Sequence, residues 1–228
     1  MQTLYIGNKN YSSWSMRPWV LMTNAGIGFE EVLLRFDSMD IGSTFKSAIT
    51  QLSPVGKVPL LVDDGFAVWD TMAIAEYLAE KHPGKSLWPQ EKKARARARS
   101  ICAEMHSGFS ALRTACMMNI EANLPDIGAL VLRDNANVRS DVSRIETMWC
   151  DLLTEHGGPF LFGQQFTIAD AYYAPVCMRF NTYALSKHRA VNEYIARVTQ
   201  APGVAKWIAD ALVENDFRDF EEPYRLRR

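Results

Sequence analysis

The chain has 228 residues, enough to bury a full core as one large domain or two modest ones. Its 25 basic and 26 acidic side chains leave a formal net charge of −1, with 48% of residues hydrophobic. That balance argues against a globally basic nucleic-acid binder, and no apolar run approaches the ~20 residues needed to span a bilayer.

The opening residues carry no basic segment followed by an apolar one, so no secretory signal is expected and a cytoplasmic location is. Leu4-Tyr5-Ile6 reads as a short strand, followed by a polar loop over residues 7–11. A helix is predicted to start near Ser12–Ser15, where hydroxyls suit an N-cap and Pro18 is tolerated in a first turn, and to end around Gly26. Residues 29–36 read as a second strand and residues 45–52 as a short helix. Val58-Pro59-Leu60-Leu61-Val62 and Phe66-Ala67-Val68-Trp69 flank Asp63-Asp64-Gly65, a hairpin signal. Asp70-Thr71 then caps a helix with Met72, Ala73, Ile74, Tyr77 and Leu78 at helical spacing, ending near His82. This β-α-β-α-β-β-α order defines a small α/β domain over residues 1–82.

Residues 83–90, between Pro83 and Pro89, form a linker, and residues 91–228 read as an all-helical domain. Ile101, Met105, Phe109, Leu112 and Cys116 recur at three- and four-residue steps and predict one long amphipathic helix. Residues 141–155 form another, the pattern over residues 121–139 is weak, and residues 204–213 make a final helix before a mobile tail at Arg225–Arg228. Thr167-Ile168-Ala169-Asp170 is a capping-box variant, with Phe166 placed for a hydrophobic staple. Its role is helix initiation, not chemistry. The four cysteines, Cys102, Cys116, Cys150 and Cys177, form no C-x-x-C and sit in helix-like apolar surroundings, so they read as reduced thiols; no metal site is expected.

Three elements in this order, Ser12-Ser13-Trp14-Ser15-Met16-Arg17, Val58-Pro59 followed by Asp70-Thr71-Met72-Ala73-Ile74, and Phe166-Thr167-Ile168-Ala169-Asp170, resemble the glutathione transferase family over nearly the whole chain. The resemblance implies a thioredoxin-like N-terminal domain plus an all-α C-terminal domain, glutathione as co-substrate, and a homodimer. The serine-rich stretch is similar to the zeta class, with Trp14 where that class carries cysteine. Glu104-Met105-His106-Ser107-Gly108-Phe109 and Thr167-Ile168-Ala169-Asp170-Ala171-Tyr172 are similar to the bacterial beta class, whose first-loop cysteine this chain lacks.

A free thiol with a pKa near ~8.5 is only about 3% thiolate at pH 7, and lowering that value to about 6.5 makes roughly three-quarters thiolate. A hydroxyl at a helix N-terminus can do so, because both the O–H and the helix dipole favour the anion. Ser12, Ser13 and Ser15 are the candidate donors; Ser12 matches the zeta catalytic serine best, and all three equally suit a helix cap. Ser12 and Ser15 also occupy the spacing a thioredoxin-type dithiol would need, which argues against disulfide exchange. By resemblance, Val58-Pro59 is a cis peptide whose backbone pairs with the cysteinyl part of glutathione, Lys57 approaches the glycyl carboxylate, and Asp70-Thr71 holds the γ-glutamyl end at a helix N-terminus; a plain edge-strand proline, a solvated lysine and a simple N-cap pair are the alternatives. For the second substrate, Arg99, His106 and Arg113 are spaced by seven and share a stripe, and Trp14 can add an apolar wall. A solvated face or a subunit interface accounts for that stripe as well. The run from Lys92 to Arg99 has no interleaved aromatics and reads as a solvated face.

The function expected is conjugation of glutathione to a small electrophile, with a serine hydroxyl stabilising the thiolate. A glutathione-dependent cis–trans isomerase of the maleylacetoacetate type, for which Arg17, Arg99 and Arg113 suit an acidic substrate, is the enzymatic alternative. A non-catalytic interaction protein is the third.

Overall fold

The computed structural model describes residues 1–38 and 40–228. Its first part runs β1 (Gln2–Ile6), α1 (Ser13–Asn24), β2 (Glu30–Leu33), α2 (Thr44–Thr50), β3 (Leu60–Asp63), β4 (Phe66–Trp69) and α3 (Thr71–Lys81). The strands lie in the order β2-β1-β3-β4, with β1 parallel to β2 and antiparallel to β3, and β4 antiparallel to β3. Alternation along the strands sorts the side chains between two faces. Leu4, Ile6 and Leu61 enter the main core with Val20, Ile74 and Leu78, while Leu60 joins Phe36, Phe45 and Ile49 on the α2 face. The hairpin turn is Asp64-Gly65, at φ 48° and 86°, the primed geometry that matches strand twist.

The remainder is helical: α4 (Lys92–Ser107), α5 (Ser110–Ala115), α6 (Pro125–Asp134), α7 (Ala136–His156), α8 (Ile168–Tyr183), α9 (Arg189–Gln200) and α10 (Pro202–Val213). Helix α8 is the axis of the molecule. Every side chain from Ile168 to Phe180 is buried, and it packs on α1, α4, α6 and α9. Gly128 makes the α6 approach possible, since a Cβ there would stand 1.7 Å from the Tyr183 carbonyl oxygen. This α/β half with a helical remainder is the fold class the sequence implied.

Several expectations are corrected. The single long helix over Ile101–Cys116 is two, because Gly108 is extended and Phe109 takes φ 53°; Met105, Phe109 and Leu112 stay buried across the break, which is why the apolar spacing reads straight through it. The strand over 29–36 shrinks to Glu30–Leu33, since the Phe36 N–H leaves the ladder for Asn8 Oδ1 at 2.8 Å. Pro18 lies in the second turn of α1, not the first, so it offers no N–H to the Trp14 carbonyl four residues back. The weak stretch 121–139 contains α6 and the start of α7, and α9 occupies residues for which no element was predicted.

The polar loop 7–11 is buried, which its composition does not foretell. Glu214 accepts from the Lys9 and Asn10 amides at 2.7 and 3.3 Å, Asp216 accepts from Asn8 Nδ2 at 2.8 Å, and Trp207 Nε1 donates to the Lys9 carbonyl at 3.0 Å. The Lys9 ammonium reaches Glu31 and Asp210 at 2.9 and 2.7 Å and lies 4.6 Å from the centre of the Trp19 ring. The C-terminal segment thus holds the loop that leads into α1. Its last residues, expected to be mobile, are tied down in turn: Arg225 donates to Glu222 at 2.8 Å and Arg228 to Glu121 at 2.6 Å.

Candidate active site

A cavity of about 740 Å³ opens between the α/β half and the helical half. Its first wall is the corner Tyr11-Ser12-Ser13-Trp14 where the loop enters α1; its second is Lys57-Val58-Pro59 and Asp70-Thr71. The opposite side carries His106, Arg113, Met117, Met118, Arg179 and Glu221. The Val58–Pro59 bond is cis. Ser12, Ser13, Trp14, Lys57, Val58, Pro59, Asp70, Thr71, His106 and Arg113 are therefore brought around one space, and Ser15 is not among the lining residues.

At the serine corner the three hydroxyls have different surroundings. Ser15 is fully buried behind the wall and accepts from the Gly7 amide at 3.1 Å, and its Oγ is 2.7 Å from Ser12 Oγ. Gly7 is required there because a Cβ would collide with the Phe36 ring at 2.1 Å. Ser13 is the first residue of α1 and accepts from Arg179 Nη2 at 3.4 Å. Tyr11 also lines the cavity, but its hydroxyl donates to Glu222 at 2.7 Å and so faces the tail. Burial and that carboxylate push the Tyr11 phenol well above its ordinary range.

At the α3 start, Asp70 holds φ 72°, ψ 132°, a conformation that L side chains rarely adopt, while Oδ1 accepts from the Met72 amide at 2.8 Å. Its Oδ2 lies 3.2 Å from His106 Nε2, so His106 serves this end of the cavity, edge-on to Trp14 at 5.0 Å. Thr71 is buried, with its hydroxyl 2.9 Å from the Tyr172 hydroxyl and accepting from Arg17 Nη1 at 3.5 Å. The Arg17 guanidinium is sandwiched between the rings of Trp14 and Tyr172, 4.2 and 4.5 Å from their centres, and its Nε is buried without a partner. Burial pushes its pKa down to about 10, so it stays charged at neutral pH.

Arg99 departs from the expected stripe: it pairs with Glu76 on α3 at 2.8 Å, outside the cavity lining, while His106, seven residues further along the same helix, lines it. Arg113 lines the cavity from α5, 5.5 Å from the centre of the Trp14 ring, and donates to the His106 carbonyl at 3.1 Å. Several residues at the cavity escaped the sequence reading, among them Tyr172, Arg179 and Glu221. Tyr172 and Arg179 lie seven residues apart on one stripe of α8, about 10 Å along its axis, so a single helix touches both the Thr71 end and the Ser13 end. Their signal was present: a lone arginine inside the otherwise apolar run Ala174–Phe180 of a helix marks a buried charge. Glu221 comes from a tail with no periodicity at all. Burial pushes its carboxyl up to about 7.

Among the described residues no cluster of three His, Cys, Asp or Glu side chains is placed to hold a metal ion, and no helix is long and apolar enough to cross a membrane.

Comparison with known proteins meets this geometry from another direction. Sequence profiles described as glutathione S-transferase N-terminal and C-terminal domains match residues 11–81 and 94–210. A probable maleylacetoacetate isomerase from Caenorhabditis elegans is 27% identical over 201 residues, covering 87% of this chain and 89% of the relative. A zeta-class glutathione S-transferase from Euphorbia esula is 25% identical over 193 residues, covering 84% and 77%. A crystal structure of a glutathione transferase homologue from Burkholderia gl BGR1, with bound glutathione, superposes with a TM-score of 0.68 at 24% identity, covering 92% of this chain and 97% of that one. The chain belongs to the glutathione S-transferase family of enzymes.

Proposed function

We propose that the chain binds reduced glutathione in the cavity between its halves, stabilises the thiolate with a serine hydroxyl at the start of α1, and transfers it to a small electrophile. In this reading Thr71 and the α3 amides take the γ-glutamyl carboxylate, Asp70 meets the ammonium, and the Val58 backbone pairs with the cysteinyl unit beside Pro59. Lys57 approaches the glycyl carboxylate. The observation that carries the reading is the convergence of the Ser12-Ser13 corner, the cis Val58–Pro59 bond and the Asp70-Thr71 helix start on one cavity. Ser15 then acts as a positioning residue: its hydroxyl accepts from both the Gly7 amide and Ser12, and so fixes the corner at which the serines meet the sulfur. Thiolate formation supplies at most about 25–30-fold at pH 7, so holding both reactants together contributes most of the acceleration.

The second reading, glutathione-dependent isomerisation of an acidic substrate, draws on relatives named maleylacetoacetate isomerase and on Arg113 and Arg179 facing the electrophile's side of the cavity. A cytoplasmic location and a homodimer belong to the same proposal.

Calorimetric titration with reduced glutathione, repeated on Thr71→Ala, tests the proposal. Saturable binding weakened tenfold or more in the variant is the expected result, and no binding to the unaltered protein at millimolar glutathione overturns it. Following glutathione during turnover separates the two reactions, since conjugation consumes it and isomerisation returns it.

A further inference from the structure

Arg179 has an unusual position for a guanidinium. It is only 7% exposed, yet it lines the cavity, and among the described residues its hydrogen-bond partners are all neutral: the carbonyls of Arg113 and Cys116 and the hydroxyl of Ser13. A buried cation without a carboxylate partner is costly, and such groups are found where an anion completes them. The two carbonyls fix one edge of the fork. The Nη2 left over points at Ser13 Oγ, at the corner where α1 begins.

The two cavity-facing serines are therefore supported differently. Ser12 donates its proton to the Ser15 hydroxyl, a neutral acceptor that also takes the Gly7 amide. Ser13 accepts directly from a cation. A hydroxyl whose lone pair is held by a positive donor gives its own proton to an acceptor more strongly, because hydrogen bonds in a chain polarise one another, and more so in a low-dielectric site.

We infer that Arg179 is a positioning residue for the glutathione sulfur, acting through Ser13 so that the Ser13 hydroxyl, with the guanidinium behind it, is the principal donor to the thiolate. The inference rests on glutathione binding as proposed above. No covalent step is involved; the thiol proton is released to solvent, and the chain Arg179 to Ser13 to sulfur stabilises the anion left behind.

The other charged and titratable groups around Arg179 are Arg17 on α1, Arg113 on α5, Cys116 after it, Tyr183 on α8 and Glu221 of the tail. Burial raises the Cys116 thiol to about 12 and lifts the Tyr183 phenol further, so both are neutral near pH 7. Arg17 and Arg113 add to the positive potential. Glu221 is the only acid in that set; among the described residues it makes no hydrogen bond to Arg179, and burial pushes its carboxyl up towards the neutral form. Burial also pulls the Arg179 value down to about 10, which still leaves the cation intact over the working range.

The test is a pH titration of the ultraviolet thiolate absorption of bound glutathione in the unaltered protein, Arg179→Met, Arg179→Lys, Ser13→Ala and Ser12→Ala, with S-methylglutathione affinity measured in parallel. Arg179→Met is expected to move the bound thiol upward by about one pH unit or more. Arg179→Lys is expected to recover part of that, and S-methylglutathione, which has no ionisable thiol, to bind within about twofold throughout. Adding Arg179→Met to Ser13→Ala should produce little further change if one acts through the other. An unchanged thiol titration in Arg179→Met, alongside normal glutathione binding, overturns the inference. Arg179 holds two buried carbonyls, so if its variants fail to fold the serine pair decides: a larger upward move in Ser13→Ala than in Ser12→Ala supports the inference, and the reverse order overturns it. Failure of the unaltered protein to bind either ligand would instead remove the glutathione reading itself.

Discussion

Two helix starts in this molecule use the same residue types for opposite ends. At α8, Thr167 and Asp170 face inward, and the Asp170 carboxylate accepts from the Leu161 amide at 3.0 Å, the Thr167 amide at 2.9 Å, the Thr167 hydroxyl at 3.0 Å and the Tyr194 hydroxyl at 3.1 Å. Phe166, placed for a staple, meets Phe160 edge to face, with ring centres 5.5 Å apart. At α3, Asp70 is 46% exposed, sits at φ 72°, and has only one backbone amide on its carboxylate. A saturated, buried cap serves folding. A strained cap with open acceptor capacity is free for the ligand proposed above, and the strain there persists because the surrounding structure fixes it.

The contrast predicts how each site breaks. The largest effect belongs to Asp170→Ala, which strands four donors in the core and removes the cap; we expect a loss of about 3–5 kcal/mol, read as a fall in denaturant midpoint or a failure to accumulate folded protein. Thr71→Ala should lose only about 1 kcal/mol of stability, from the unpaired Tyr172 hydroxyl, while glutathione affinity falls tenfold or more; Thr71→Ser should restore both in thermal melts and titrations. Asp70→Gly sharpens the comparison further. Release of the positive-φ strain, worth about 1–3 kcal/mol, offsets the lost cap, worth about 0.5–2 kcal/mol, so stability should hold or rise slightly while glutathione binding weakens. If Asp70→Gly left binding intact, the α3 start would be a cap like that of α8.

The last effect concerns Glu221. Burial pushes the Asp170 carboxyl up despite the four donors that oppose the rise. Glu221 is pushed up to about 7 from 4.5. The folded chain therefore holds this proton to higher pH than the unfolded one, so between about pH 4.5 and 7 its contribution lowers stability as pH rises. Glu221→Gln should flatten that part of the stability profile, measured by melts across pH, with little change below pH 4.5.

Local chemistry was enough to read much of this molecule. Alternation and the Asp64-Gly65 turn fixed β3 and β4, and helical spacing with the Asp70 cap fixed α3, since each depends on neighbours within a few residues. The Ser12-Ser13, Val58-Pro59 and Asp70-Thr71 positions were legible as a resemblance for the same reason: their spacing is local. What sequence could not decide came from distant partners. The break at Phe109 hides because its apolar spacing is that of one helix, and α9 was passed over although Val191, Tyr194, Ile195 and Val198 are buried at helical steps. The burial of loop 7–11 depends on Glu214 and Asp216, which are more than 200 residues away along the chain. Only tertiary packing placed Tyr172 of α8 on Thr71 of α3 and Arg179 of α8 on Ser13 of α1. The sequence by itself named candidate residues for the chemistry; the tertiary structure decided which hydroxyl meets a cation, because desolvated charge takes its value from neighbours that only folding supplies.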